Sequence, residues 1–311
     1  MIPSDRADGE PRQVDEWSIV RFDGSREDIT MRLESSTAFD QAALIMPVPA
    51  KATFALGHDA VFDDMRERTK PKRVRRTKHV LFGGRKLSGG AEDDGATAAG
   101  AGAVEVVDSQ DLGPLRVVTL RGDDAGTVGT WLDDQGFPTP EGIEPIAQEY
   151  LDQDWLLVAV RIRAEGGGKI QKLQPLIISF DTPEVVYPLR MSKLAQGPTQ
   201  ARVDVVAPEP LAVEGWPKRD LRPTSSGSGR LFGGPMPNGR YLTSYRFAIS
   251  SGDFQEPRFV PAERDDFRME IVEYEEVDVT GRVFGIGFGV LAAIALVVAL
   301  LVRRRRARGA S

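Results

Sequence analysis

Few residues of this chain are of the types that do covalent or metal chemistry. It has two histidines, His58 and His79, and no cysteine. No disulfide, thiolate metal site or cysteine nucleophile can therefore form. A Ser-His-Asp triad would need one of the histidines beside a serine, and no Gly-x-Ser-x-Gly turn is present to offer that serine. His58 precedes a helix start and His79 lies in a basic stretch, so both read as loop or surface residues. A zinc ion would need carboxylates in place of the missing ligands. No phosphate-binding Gly-Lys-Ser/Thr loop occurs, and no calcium loop with alternating acids, a central Gly and a closing Glu. No cofactor and no catalytic residue is expected.

Carboxylates are the remaining option. Acids pair at Asp63-Asp64, Asp93-Asp94, Asp123-Asp124, Asp133-Asp134, Asp152/Asp154 and Asp265-Asp266. Two of them facing each other across a cleft could hydrolyse a glycosidic bond. Nothing in their spacing brings two together, and Asp123 and Asp124 are better used as a helix cap. Solvated surface acids are the plainer reading.

The net charge of -6 hides a partition. Residues 66–86 hold ten basic side chains and one acid, Glu67, while the last residues add five arginines. The rest is strongly acidic. A nucleic-acid binder would show a wider basic face with aromatics, so nucleic acid is not an expected partner. Arg73, Arg75, Arg76 and Lys78 form the densest part of the basic stretch. They could dock an anionic surface ligand, or rest in a solvated loop against the acidic body.

The most telling element is at the C-terminus. Residues 283–302 carry no charge, and thirteen of the twenty are Leu, Ile, Val or Phe. About 20 apolar helical residues cross a bilayer core, and each such side chain favours insertion by roughly 0.3–0.6 kcal/mol near its centre. One transmembrane helix is predicted there, with the lipid bilayer as its partner. Arg303, Arg304, Arg305, Arg306 and Arg308 follow at once and make 303–311 a basic tail. Basic residues stay on the cytoplasmic side, which puts the C-terminus inside and the body outside. Gly281, Gly285, Gly289 and Ala293 recur every four residues. Such a stripe lets a second helix approach closely, so another membrane protein is a possible partner. An exported body needs a signal peptide, and residues 1–17 are polar. Either the true start lies upstream, or the protein is tail-anchored with a cytoplasmic body.

The rest of the chain must build whatever site there is. Residues 16–22 and 29–34 read as a strand pair around Asp23-Gly24, with Ile29, Met31 and Leu33 on one side and Thr30, Arg32 and Glu34 on the other. A strand at 42–48 and a short helix with Val61, Phe62 and Met65 on its apolar face follow. Residues 66–103 read as a long basic, then Gly-rich, disordered loop. Helices are predicted through Val128, Trp131 and Leu132, stopped at Gly136, and through Ile143, Ile146, Ala147, Tyr150 and Leu151. Strands at 155–162, 173–180, 185–191 and 201–206, a loop at 221–239, and strands at 241–250 and 267–279 complete the body. The tetrapeptide Leu-Phe-Gly-Gly occurs at 81–84 and again at 231–234. The predicted fold is α+β: a mainly antiparallel sheet with a few short helices, plus one C-terminal transmembrane helix. Residues 1–15 form a disordered lead-in and 16–280 one domain.

Several segments in order carry a family likeness: Ala-Leu-Ile-Met-Pro-Val-Pro at 43–49, the stretch from His58 to Met65, Leu112-Gly113-Pro114, Trp131-Leu132, Gly136-Phe137-Pro138 and Asp154-Trp155. Pro175-Leu176 and Val186-Tyr187-Pro188-Leu189-Arg190-Met191-Ser192 end the series. Over residues 17–208 the chain resembles the bacterial domain-of-unknown-function 2330 family. The resemblance implies an exported domain, often with a C-terminal membrane span. Family members typically carry a signal peptide and a cysteine-containing segment before the first strand, and this sequence shows neither. The family brings no established activity to transfer. The expectation is a single-pass membrane protein with a non-catalytic, surface-exposed binding or interaction domain. The rivals are a surface hydrolase using paired carboxylates and an assembly partner of other membrane proteins.

Overall fold

The computed structural model describes residues 2–3, 14–80, 105–122, 124–163, 170–172, 174–194, 199–215, 229–249 and 256–278. In chain order the elements are β1 (Ile2–Pro3), β2 (Val14–Phe22), β3 (Arg26–Phe39), β4 (Gln41–Val48), β5 (Thr53–Leu56), α1 (Ala60–Arg68), β6 (Lys72–Val80), β7 (Glu105–Leu112) and β8 (Leu115–Arg121). Then come α2 (Gly126–Asp134), α3 (Ile143–Leu151), β9 (Leu156–Arg163), β10 (Ile170–Lys172), β11 (Leu176–Asp181), a 3-10 helix (Leu189–Leu194), β12 (Thr199–Ala207) and β13 (Leu211–Glu214). The last are β14 (Gly229–Pro235), β15 (Tyr241–Ile249), β16 (Arg258–Pro261), β17 (Phe267–Arg268) and β18 (Glu270–Asp278). The chain divides into two units, Met1–Pro71 with Gly95–Met269, and Lys72–Asp94 with Glu270–Ser311.

The larger unit is built in four layers. A five-stranded sheet (β1-β4-β9-β8-β7) packs against a nine-stranded one (β17-β14-β15-β12-β2-β3-β11-β5, with β10 beside β3). Between them lies the main core, with Val158, Val160 and Val117 from one sheet and Val203, Val205, Ile29 and Phe247 from the other. The opposite face of the five-stranded sheet is covered by α2 and α3, through Val128, Trp131, Leu132, Ile143 and Ala147 on Ala43, Ile45 and Leu157. The opposite face of the nine-stranded sheet receives α1, whose Phe62 and Met65 rest on Ile19, Val206 and Leu242. The described strand pairs of this unit are antiparallel except β2–β12, which is parallel. The predicted α+β class with mainly antiparallel sheets and short helices is thus the observed one.

Local chemistry explains the elements. The β2–β3 turn is closed by Asp23, whose Oδ1 accepts from the backbone N–H groups of Ser25 and Arg26, both at 2.9 Å. Gly24 supplies a φ of +111°, which other residues rarely adopt. Asp124 Oδ1 accepts from Gly126 N–H at 2.9 Å at the start of α2. Gly136, at φ +79°, ends that helix, and Phe137 N–H returns to the Leu132 carbonyl at 2.8 Å. These are the turn and stop signals the sequence displays.

Several boundaries need correction. The basic stretch is not a loop up to residue 80: α1 runs to Arg68, and Lys72–Val80 is a strand paired in parallel with Glu270–Asp278. Those two strands form the described part of the second unit, so the single domain predicted over 16–280 is divided near both strands. Part of the 221–239 loop is the strand Gly229–Pro235, held by β15. The predicted strand at 185–191 is irregular backbone leading into the 3-10 helix. Ile2 and Pro3, expected in a disordered lead-in, pair with Ala43 and Ala42. For the three unpredicted strands a partner distant in the chain decides the outcome, and no local pattern reports it.

Among the described residues no helix is long and apolar enough to cross a membrane. The predicted span at 283–302 and the tail at 303–311 lie outside the described residues.

Candidate functional site

A β-strand sends alternate side chains to opposite faces, and strand register decides which of them become neighbours. Trp17 on β2 is in register with Arg32 on β3 and with Arg202 on β12, and Arg202 is in register with Arg246 on β15. The outer face of the nine-stranded sheet therefore carries one transverse row, Arg246–Arg202–Trp17–Arg32. Two residues along the strands lies a second row, Gln200–Asp15–Glu34. Together these residues line a cleft of about 230 Å³, which Glu16 also borders.

The row is tightly built. The Arg202 guanidinium lies 4.1 Å from the centre of the Trp17 ring, Arg32 lies 5.0 Å from it and Arg66 of α1 lies 5.2 Å from it. Arg32 also sits 4.6 Å from the Phe62 ring, and Phe62 meets Trp17 edge-on with centroids 5.2 Å apart. Each such contact is worth about 0.5–2 kcal/mol, more where water is excluded. Beneath them Asp204 is fully buried. It accepts from Trp17 Nε1 at 2.8 Å, from Arg202 Nε at 3.2 Å and Nη2 at 2.9 Å, and from the Ser244 hydroxyl. Arg202 Nη2 also donates to Thr69 Oγ1 at 2.5 Å. Arg32 pairs with Glu34 at 3.2 Å and with Asp59 at 3.5 Å. Burial, and then the charge of Arg202, lowers the pKa of Arg246.

Alternation in β3 anticipates Arg32 on the face opposite Ile29 and Met31. It does not anticipate burial, yet Thr30 and Arg32 are 2% and 7% exposed. Helix α1 covers that face, so both sides of the sheet are packed. The visible trace in sequence is a lone charge between apolar neighbours, as in Ala201-Arg202-Val203-Asp204-Val205 and Tyr245-Arg246-Phe247.

The inner face holds a different polar group. Ser18 Oγ and Tyr187 Oη are 2.6 Å apart, and the Tyr187 hydroxyl donates to Glu16 Oε1. Burial raises the Glu16 pKa against the opposing effect of the Tyr187 hydrogen bond. Glu27 is wholly buried, and its Oε2 accepts from Val186 N–H at 3.0 Å. Its Oε1 has no partner, and burial lifts its pKa well above the usual carboxylate range. A third cluster joins the Tyr150 hydroxyl to Glu256, which also accepts from Arg190 N–H at 3.3 Å. Burial again raises the Glu256 pKa.

Of the residues singled out in the sequence, Arg73 meets Glu273 at 2.8 Å, Arg75 meets Glu273 at 3.9 Å and Arg76 meets Glu270 at 3.8 Å. Lys78 is in register with Glu276. Gly281, Gly285, Gly289, Ala293 and Arg303, Arg304, Arg305, Arg306 and Arg308 lie outside the described residues. His58 is exposed. Asp63 and Asp64 pair with Arg66 and Arg68 on α1, and Asp265 and Asp266 meet Arg230 and Tyr241. None of these acid pairs lines the cleft. Among the described residues no group of three or more acids or histidines is placed to hold a metal ion.

Comparison with known proteins points one way. Searches of curated proteins and of solved structures find no match. The sequence profile of a family described as "Uncharacterized protein conserved in bacteria (DUF2330)" matches residues 5–214. That match takes in β2, β3 and β12, and so Trp17, Arg32 and Arg202 of the cleft, while Arg246 lies beyond it. The chain belongs to this conserved bacterial family.

Proposed function

We propose that this chain is a single-pass membrane protein whose body is a non-catalytic binding module, with the Trp17 cleft as its ligand site. The observation that carries the site is the in-register row Arg246–Arg202–Trp17–Arg32 beside an open cleft of about 230 Å³. A small set of fixed polar groups in a concavity is the usual form of a ligand site. The anchor rests on the uncharged run at 283–302. The orientation, body outside and C-terminus in the cytoplasm, rests on the arginines that follow it. The basic strand is matched to the acids of β18, which makes an external anionic partner at Arg73, Arg75 and Arg76 the weaker docking idea.

Two experiments test this reading. The full chain in detergent is titrated calorimetrically with acetate, inorganic phosphate and glucosamine. Heat that disappears in Arg246→Gln supports the cleft, and no heat from any probe removes it. Trypsin shaving of intact cells tests the orientation. Release of body peptides supports an outside body, whereas protection until lysis, with a known surface protein cut in the same sample, places the body in the cytoplasm.

One observation favours a hydrolase as second reading. Asp15 and Glu34 stand directly opposite each other on β2 and β3 and both line the cleft. Glycoside hydrolysis needs two carboxyls flanking the scissile bond, and these two, neighbours on one sheet face, would have to act on a bond lying across them. Turnover of a wall-polysaccharide substrate that is abolished by Glu34→Gln would establish it.

A further inference from the structure

The second unit carries two unlike strand edges. Its described part is a two-stranded parallel ribbon, β6 beside β18, and among the described residues neither strand has another strand partner. Parallel strands are normally covered on both faces, and a two-stranded unit is marginal alone in water. Each outer edge offers a row of backbone N–H and C=O groups to a further strand. Charge is sorted between the two edges: β6 carries five Lys or Arg and no acid, and β18 five acids and no Lys or Arg. Lys72–Glu270, Arg75–Glu273 and Lys78–Glu276 stand in register.

We infer that the outer edge of β6 takes β18 from a second copy of this chain, continuing the ribbon as a parallel sheet of alternating basic and acidic strands. The same register against a second copy repeats all three opposite-charge matches. Charge opposes the wrong pairings, because β6 on β6, or β18 on β18, sets like charges across from each other. The cations have room for more acid: Lys72 and Arg76 share Glu270, Arg73 and Arg75 share Glu273, and all four are more than half exposed. The acidic edge also holds Ile271, the one large apolar side chain exposed among the described residues, at 39%. Arg73 is its in-register neighbour within the chain, and Arg73 of the next copy would cover its open side with a methylene stem. On the proposed reading of 283–302 as a membrane span, copies in one membrane also present β18 in one direction, as parallel pairing requires. Because the two edges differ, the contact is head-to-tail and adds copies into a row or ring instead of closing a dimer.

The chain has no cysteine, so an introduced thiol is unique. Thr77 and Glu275 are exposed and in register. Full-length Thr77→Cys and Glu275→Cys chains with different tags are mixed in detergent and treated with bismaleimidoethane. Each chain holds one thiol, so every cross-link joins two copies. The mixed-tag product should exceed either same-tag product by about tenfold, since like strands repel, and should fade at high salt. Lys72→Cys mixed with Glu275→Cys, five residues out of register, should give little product. Sedimentation of the unsubstituted chain reads the assembly without any variant, and a species larger than a dimer at low salt that shrinks at high salt is expected. A monomer at both salt levels overturns the inference. So does an assembled chain whose cross-links lack a dominant, in-register, mixed-tag product.

Discussion

The two faces of the nine-stranded sheet come from the same strands and solve the same problem in opposite ways. Each buries polar groups. On the inner face Glu27 lies wholly buried beside the main core with a backbone N–H as its donor, while Glu16 accepts from the Tyr187 and Ser192 hydroxyls. Burial raises both pKa values. On the outer face Asp204 is equally buried but meets the Arg202 guanidinium, an indole N–H and a serine. The difference is the counter-charge. A buried carboxyl without a cation turns toward its neutral form, whereas Arg202 gives Asp204 a partner of opposite charge. The outer face can therefore hold a charged row next to solvent, and the inner face can serve only as core.

Removing the central charge tests this most severely. Asp204→Ala leaves a guanidinium and an indole N–H without their acceptor, and should cost about 3–5 kcal/mol in urea unfolding. Phe247→Ala on the inner face should cost about the same. A cost for Asp204→Ala below about 1 kcal/mol would show that the outer row is not part of the packed structure. On the inner face, Tyr187→Phe strands Ser18 and Glu16, and should cost about 1–3 kcal/mol by the same measurement.

Acidity separates the faces further. Glu27 has a raised pKa in the folded state, so folding favours its protonated form. Its contribution is intact below the unfolded value of about 4.3 and declines as pH rises toward the folded value. Glu27→Gln should therefore be more stable than the parent at neutral pH, and the gap should close below about pH 4.3. Melting temperatures of both proteins across that range decide it, and a gap independent of pH would refute the assignment.

The smallest effect concerns the second unit, where charges are paired on the surface. Arg73, Arg75 and Arg76 are more than half exposed. Each replacement by Ser should cost about 0.2–1 kcal/mol at low salt and nothing measurable at high salt. Amide exchange in Glu270–Asp278 at two ionic strengths would show it. A salt-independent loss would mean the pairing is not electrostatic.

Much of the framework was legible in the sequence. Asp23-Gly24 predicted the β2–β3 turn, Gly136 the end of α2, and the spacing of Ile143, Ala147, Tyr150 and Leu151 the helix α3, because each signal acts within a few residues. Phe62 and Met65 marked the buried side of α1 correctly. The cleft was not legible. Alternation places Arg32 with Thr30 and Glu34 on one side of β3 without reporting its burial, and nothing local marks Arg202 or Arg246, since a lone charge in an apolar strand has no motif.

By itself the sequence determined the α+β character, the main turns, the absence of cysteine chemistry, the family likeness, and an uncharged run long enough for a bilayer. Only the tertiary structure decided that residues 17, 32, 202 and 246 form one row, and that the basic strand finds its acids at 270 and 273. The physical reason is range. Turns and helices are set by neighbours within a few positions, whereas strand register is set by which distant surfaces can be buried together, and a shift of one residue would send every side chain of the row to the opposite face.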